Sequence, residues 1–563
     1  MKKFTVTLLL LLSMATNVFA FNFPEPDWGS LLNQRRSLVN QVDFELYTEA
    51  PPETSVYYGA KFEPRGGAYL GMVGDTSRFG HFGSYLTYIE SMDQGRPYGG
   101  NVPNSVTMVG WTVNSLDEVD YDKIRATLEN LNSFGSPVFV RFANEMNVSP
   151  LGDDPDRYVS IFRNVANMIH EYPNLAVVWS PNDMGALDRP FDYFYPGDEY
   201  VDWVGVSLYT RTYFAGNNKT TENDSIFFMT GPYGFATNTI KPIMQFMEKK
   251  GINKPVMISE GGVANDNKYH DVTEDRTDLR MRNFLWYLVM KYPQIKMINY
   301  FNTRINGESE IYYMSDNQFA VDTFNEAYNY GPYIKNQKSN SDYVFAKAER
   351  GETLVADDDG IVNLYTLCYY PKTTDLTVSY SVDEQWIGAS KKVPYKFKFD
   401  INQVSDGKHT MTISCANGKK NYTFYKRGRH ICFNAEPDTT FPVKYPKDKV
   451  KVTVNGNHVG FDEAPVIKNG RTLVPLRAIF EKLGADVNWD ENTKTITASR
   501  SGVNVKLQID SNVMDVNGYL KKELEVPATI INGRTFVPVR AISEAFSCNV
   551  EWDDGTRTVI IKE

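Results

Sequence analysis

Pro137-Val-Phe-Val-Arg-Phe-Ala-Asn-Glu-Met-Asn147 begins as an apolar, β-branched run and ends in a polar cluster. The first half is the pattern of a strand buried on both faces. The second half holds Arg141, Asn144, Glu145 and Asn147. Packing accounts poorly for a carboxylate at the end of a doubly buried strand. In α/β barrels the carboxyl end of a strand is where chemistry is placed. Further along, Pro255-Val-Met-Ile-Ser-Glu-Gly-Gly262 repeats the design, with Glu260 at the matching place. Two carboxylates so placed, one per strand, can flank a glycosidic bond.

Working outward, short apolar runs recur on both sides of this stretch. Strands are predicted at 67–71, 86–90, 105–111, 138–142, 175–179, 201–209, 256–259 and 296–301. Helical periodicity fills the gaps at 116–134, 156–172, 240–250 and 279–292, and a last helix is expected at 324–330. Buried strands alternating with helices in this number are the arithmetic of a (β/α)8 TIM barrel. Arg141 lies four residues before Glu145, two steps of side-chain alternation back, from where it can donate to Glu260.

Lys2 and Lys3, the apolar run Thr5–Met14 and Val18-Phe-Ala20 read as a signal peptide over 1–20. Export is therefore expected, with the protein secreted or wall-associated outside the cell and no membrane span left after leader removal. The net charge is −10 and no basic block occurs, which argues against nucleic acid as a partner. The four cysteines, Cys368, Cys415, Cys432 and Cys548, all follow residue 360, so the barrel has to stand on its core alone. They allow three full pairings.

The barrel domain is expected to span 21–335, with 21–64 irregular and 336–358 a linker, so a chain ending near 335 should fold. Short alternating strands over 359–434 suggest an immunoglobulin-like β-sandwich, with Cys368, Trp386 and Cys415 in the Cys–Trp–Cys order of that fold. A second linker covers 438–449. Residues 451–563 contain a repeat: Asn469-Gly-Arg-Thr-Leu-Val-Pro-Leu-Arg-Ala-Ile479 recurs as Asn532-Gly-Arg-Thr-Phe-Val-Pro-Val-Arg-Ala-Ile542. Asn-Gly supplies hairpin turns. Arg477 and Arg540 recur together, as a repeated internal salt bridge would. This part resembles the stalk-type domain named after the N-terminal domain of copper amine oxidases, an α+β unit. His458 is its only histidine, and no cluster of metal ligands accompanies the repeat. No metal or cofactor is expected.

Within 60–330, the segments 141–147, Val178-Trp-Ser-Pro-Asn182, Tyr195-Pro-Gly-Asp-Glu-Tyr-Val-Asp-Trp-Val-Gly-Val206 and Ile258-Ser-Glu-Gly261 resemble glycoside hydrolase family 26. That family belongs to a clan of retaining (β/α)8 hydrolases. The resemblance implies Glu145 as acid/base and Glu260 as nucleophile. It implies that the Tyr209 hydroxyl touches the nucleophile, and that Trp179 and Tyr300 are sugar platforms. Where the family usually has His, this chain has Asn144, the residue used in the wider clan to contact the substrate 2-hydroxyl. The implied substrate is a polysaccharide, either β-mannan or a related β-glycan such as a glucan, xylan or exopolysaccharide. A non-catalytic glycan-binding wall protein is the rival from another class.

Overall fold

The computed structural model describes residue 23 and residues 41–562, apart from 183–188, 211–239, 268–271, 306–309, 338, 371–372, 374, 440–449, 456, 460–464, 469–470, 532–533 and 554–557. The expected leader, nearly all of the second linker and both Asn-Gly turns lie outside the described residues.

The first described strand, β1 (Asp43–Ala50), precedes the barrel. The barrel strands are β2 (Ala68–Gly74), β3 (Ser84–Ile89), β4 (Val106–Trp111), β5 (Val138–Phe142), β6 (Leu175–Trp179), β7 (Trp203–Thr210), β8 (Val256–Val263) and β9 (Ile295–Asn302). Each is parallel to the next, and β9 closes the ring by pairing with β2, Met297 opposite Tyr69 through Asn302 opposite Gly74. Two of the helices between them begin where the sequence provides a side-chain cap. Asp120 accepts from the Asp122 and Lys123 amides at α1 (Tyr121–Asn132), and Asp154 from the Arg157 amide at α2 (Pro155–His170). α3 is Lys241–Lys250, α4 is Glu274–Arg282 and α5 is Gln318–Tyr330.

The strands bury two sets of side chains. Tyr69, Leu86, Val106, Met108, Phe139, Ala176, Val178, Trp203, Met257 and Met297 fill the barrel. Intervening residues such as Val138, Val140, Leu175, Val177, Val204 and Ile258 face the helices. A full barrel interior of such residues stabilises by ~1.5–3 kcal/mol for each large side chain. It also leaves the upper end of the strands free to carry polar groups.

A β-sandwich follows, larger than its sequence signal. Its four-stranded sheet runs in the order 344–347, β1, 361–369, 397–400. The six-stranded sheet holds 353–355, 430–433, 418–427, 407–415, 378–382 and 385–390. The two sheets meet through Phe399 and Phe424, ring centres 5.7 Å apart. The segment read as irregular therefore supplies a central strand, Phe44 opposite Cys368 and Tyr47 opposite Tyr365. The stretch read as a linker supplies two edge strands. Both were hidden because their apolar partners lie hundreds of residues away. The chain beyond α4 is fastened to this sheet. The Tyr287 hydroxyl donates to the Thr366 carbonyl (3.3 Å) and accepts from the Cys368 amide (3.1 Å), and Lys291 pairs with Glu45 at 2.8 Å. Trp386 is 68% exposed on an outer strand, not the buried tryptophan of an immunoglobulin core. Cys368 and Cys415 stand on facing sheets as free thiols.

The C-terminal part has its own apolar core. The repeated segments pair with each other as antiparallel strands, Val474 opposite Val537, each followed by a short helix, 476–482 and 539–545. Val474, Leu476, Ile479, Val537 and Val539 are buried there. Arg477 and Arg540 instead sit exposed at matching places on those helices and form no ion pair among the described residues.

Candidate active site

Arg141 organises the carboxyl end of the barrel. It follows Phe139 on the inward face of β5, is fully buried, and spends its guanidinium on four acceptors. Nε donates to Ser180 Oγ at 2.9 Å, and Nη2 to Ser207 Oγ at 2.5 Å. Nη1 donates to Glu260 Oε2 at 2.9 Å, and Nη2 reaches Glu145 Oε1 at 3.5 Å. Ser180 Oγ is in turn 2.8 Å from Ser259 Oγ. A buried cation tied on every side is a fixed point from which both carboxylates take their positions.

Each carboxylate is aimed by a break in regular backbone. Ala143 and Glu145 both have positive φ, 47° and 57°. This sharp turn carries Glu145 off β5 and back over the barrel, where its amide donates to the Ser180 carbonyl at 2.8 Å. Glu260 depends on a bulge. β8 pairs Ile258 with Val206 but Glu260 with Ser207, and on its other side pairs Gly261 with Tyr300 after Ile258 with Ile298. The extra residue lets Ser259 and Glu260 both face inward, whereas strict alternation would turn Glu260 toward the helices.

The surroundings of the two acids differ. Glu260 receives Arg141 on one oxygen and the Tyr209 hydroxyl on the other, at 2.5 Å. Glu145 has a weaker set, the long contact to Arg141 and the Asn182 amide at 3.3 Å. Burial, opposed by Arg141 and reinforced by the Glu260 charge, holds the Glu145 carboxyl above the usual carboxylate range. Asn182 is fixed by Asn147: its amide N–H donates to Asn147 Oδ1 (2.8 Å) and its carbonyl accepts from Asn147 Nδ2 (2.6 Å).

The structure thus brings together Arg141, Glu145, Tyr209 and Glu260. Asn144 lies on the same turn, with Oδ1 buried and without a hydrogen bond. Trp179 and Tyr300 are not among them. Both are fully buried on the helix-facing side, Trp179 against Phe191, Tyr195 and Phe246 with its indole N–H on the Phe194 carbonyl. The Tyr300 hydroxyl donates to the Val263 carbonyl. Their parity was readable: Trp179 alternates with Val178, which faces in, and Tyr300 with Asn299, which meets Ser84 inside the barrel. Phe301 and Tyr312 pack edge-on against the Tyr209 ring, 6.1 and 5.0 Å between ring centres. Ser180, Asn182, Ser207 and Ser259 were missed. Small polar residues at inward positions carry little sequence signal until Arg141 is known to need acceptors.

Comparison with known proteins gives two family matches. Residues 104–284 match Glycosyl hydrolase family 26, and residues 453–561 match the Copper amine oxidase N-terminal domain. Among the described residues no group of three or more His, Cys, Asp or Glu side chains is placed to hold a metal ion. A protease inhibitor of Brevibacillus choshinensis is 29% identical over 132 residues, 23% of this chain and 38% of that protein. A beta-1,3-xylanase of an Alcaligenes species is 28% identical over 120 residues, 19% of this chain and 25% of that protein. The chain therefore spans well under half the length of these relatives. A solved Cellulomonas fimi endo-beta-1,4-mannanase double mutant aligns over 67% of this chain and 99% of its own, with 12% identity and a TM-score of 0.36. Residues 104–284 are thus similar to glycosyl hydrolase family 26, and residues 453–561 to the copper amine oxidase N-terminal domain.

Proposed function

We propose that this protein is a secreted, retaining, endo-acting glycoside hydrolase that cleaves a β-linked polysaccharide by double displacement. The observation that carries the reading is the unequal treatment of two carboxylates sharing one guanidinium. Glu260 accepts a hydrogen bond from Arg141 on one oxygen and from Tyr209 on the other, contacts that fix its orientation as a nucleophile requires. Glu145 is held above the usual carboxylate range by burial, as suits an acid that keeps its proton near neutral pH. In the first step Glu260 attacks the anomeric carbon while Glu145 protonates the departing glycosidic oxygen. In the second, Glu145 removes a proton from water, which displaces Glu260 and restores both groups. One guanidinium reaching both acids is in keeping with the close carboxylate spacing of retaining enzymes.

β-Mannan is the first substrate reading. Xylan is the second, favoured by the beta-1,3-xylanase relative and by Asn144 beside the acid. The C-terminal repeats would serve to hold the enzyme on cell walls. The test is hydrolysis of a panel of β-1,4-mannan, β-1,3-xylan, β-1,4-xylan and β-glucan by the full chain, with product anomers read by NMR before mutarotation. Retention gives the β-anomer first. Glu145→Ala should keep activity on 2,4-dinitrophenyl glycosides and form a β-glycosyl azide with azide, and Glu260→Ala should be inactive. Wild-type turnover by Glu260→Ala removes the assignment, and absence of turnover on every polysaccharide favours a glycan-binding wall protein.

A further inference from the structure

A third strand contributes to the same place. Tyr88 lies on the inward face of β3, in register with Gly110 of β4. A Cβ on Gly110 would lie 2.8 Å from the Tyr88 ring, so the glycine is what allows the ring to lie flat across the neighbouring strand. The backbone is fastened as well: the Tyr88 carbonyl accepts from the Tyr98 amide at 3.2 Å and from Gln94 Nε2 at 3.3 Å. The ring is partly exposed, yet its hydroxyl is buried and faces the Glu260 carboxylate without a hydrogen bond of good geometry. Burial first, and then the neighbouring Glu260 charge, push this phenol well above its ordinary pKa, so it stays a neutral donor beside the nucleophile. Both Glu260 oxygens already have donors, Arg141 and Tyr209. A buried hydroxyl without a well-formed hydrogen bond, in a site whose other donors are already placed, is costly unless a ligand completes it.

Resting on the glycoside hydrolase reading of Glu145 and Glu260, we propose that Tyr88 is a sugar-binding residue, its hydroxyl hydrogen-bonding a ring hydroxyl of the sugar that Glu260 attacks. Tyr88 contacts substrate only when the anomeric carbon lies over Glu260, which makes it a selector of the sugar as well as a binder.

The experiment uses the full chain and 2,4-dinitrophenyl β-mannobioside, β-xylobioside and β-cellobioside. The best of these is also made in monodeoxy forms lacking each free hydroxyl on the ring nearest the leaving group. Tyr88→Phe keeps the ring and should leave Tm within about 2 °C. It should lower kcat/KM on the parent glycoside about 10- to 100-fold, the range for one lost hydrogen bond in a buried site. On one monodeoxy glycoside the wild-type and variant rates should converge to within about threefold, because the partner hydroxyl is already gone. Ratios between probes within one enzyme do not depend on its active fraction, so partial misfolding does not imitate this result. Parent kinetics within twofold of wild type overturn the proposal. An equal loss on every probe also overturns it, since the hydroxyl then acts on Glu260 and not on the sugar. Full activity of Glu260→Ala would instead remove the reading on which the proposal rests.

Discussion

Replacing Arg141 by Met keeps a long side chain and removes the cation that bridges Glu145 and Glu260. The guanidinium is fully buried, while the two carboxylates are 30% and 16% exposed. Removing one partner of a buried ion pair costs about 3–5 kcal/mol, because the remaining charges lose their compensation. The bonds to Ser180 and Ser207 disappear too, although Ser180 keeps Ser259. At ~2 °C per kcal/mol for a domain of this size, the barrel transition should fall by about 6–10 °C near neutral pH. The pH dependence has a definite sign. Arg141 lowers the Glu145 pKa, so without it this carboxyl rises further above its ordinary 4.5. An acid with a raised folded pKa stabilises the fold below its unfolded value, and that stability is lost as pH rises through the folded one. The gap between wild type and variant should therefore be smallest near pH 4.5 and widen toward neutrality. The assay is calorimetric unfolding of both proteins across this range. A gap below ~2 °C at neutral pH, or one independent of pH, would refute the reasoning that Arg141 is the charge compensating the site.

Tyr209→Phe removes the 2.5 Å bond to Glu260 and should lower kcat/KM about 10- to 100-fold, as expected for a hydrogen bond to a charged group, with little change in Tm. Asn182→Ala removes a group that lowers the Glu145 pKa, so the alkaline limb of kcat/KM should move to higher pH; an unchanged limb contradicts Glu145 as the acid. A chain of residues 41–335 should be insoluble or far less stable than one of 41–438, because β1 loses both its neighbours and exposes Phe44, Leu46 and Tyr47; equal melting curves would show that the barrel does not need the sandwich. Deleting 450–563 should leave soluble turnover unchanged and reduce pull-down on cell walls; a large loss of soluble turnover would show that the repeats help build the site.

Most of the barrel was legible because its strands are short, apolar and separated by stretches of helical periodicity. Each of the eight predicted strands overlaps an observed one, and β5 and β6 coincide with 138–142 and 175–179. What local sequence did not show was partnership at long range. β1 and the strands at 344–347 and 353–355 are recognisable only with the rest of the sandwich in view. Glu145, Glu260 and Arg141 stood out because ionisable residues at the end of an apolar strand have no packing role. Trp179 and Tyr300 misled because an aromatic at a strand end is attractive as a platform whichever way it points. Tyr88 escaped notice for the opposite reason, since a tyrosine inside a strand reads as ordinary packing until its hydroxyl is found beside Glu260.

The irregularities of the backbone carry the functional argument further than the strands do. Regular β5 and β8 would each end with a carboxylate pointing by alternation alone, and for Glu260 that direction is outward. One strained turn at Ala143–Glu145 and one extra residue at Ser259 change both directions. Non-glycine residues at positive φ cost on the order of 1 kcal/mol or more each and persist only where their surroundings over-determine them. Here the surroundings are identifiable. The Glu145 amide is bound to the Ser180 carbonyl, Ser259 Oγ lies 2.8 Å from Ser180 Oγ, and Ser180 Oγ accepts from Arg141. Ser180 thus joins the strained turn, the bulge and the buried cation in one hydrogen-bonded set, at the end of the strand between β5 and β7. A fold without these departures would keep its barrel and leave the two acids unable to face the same bond.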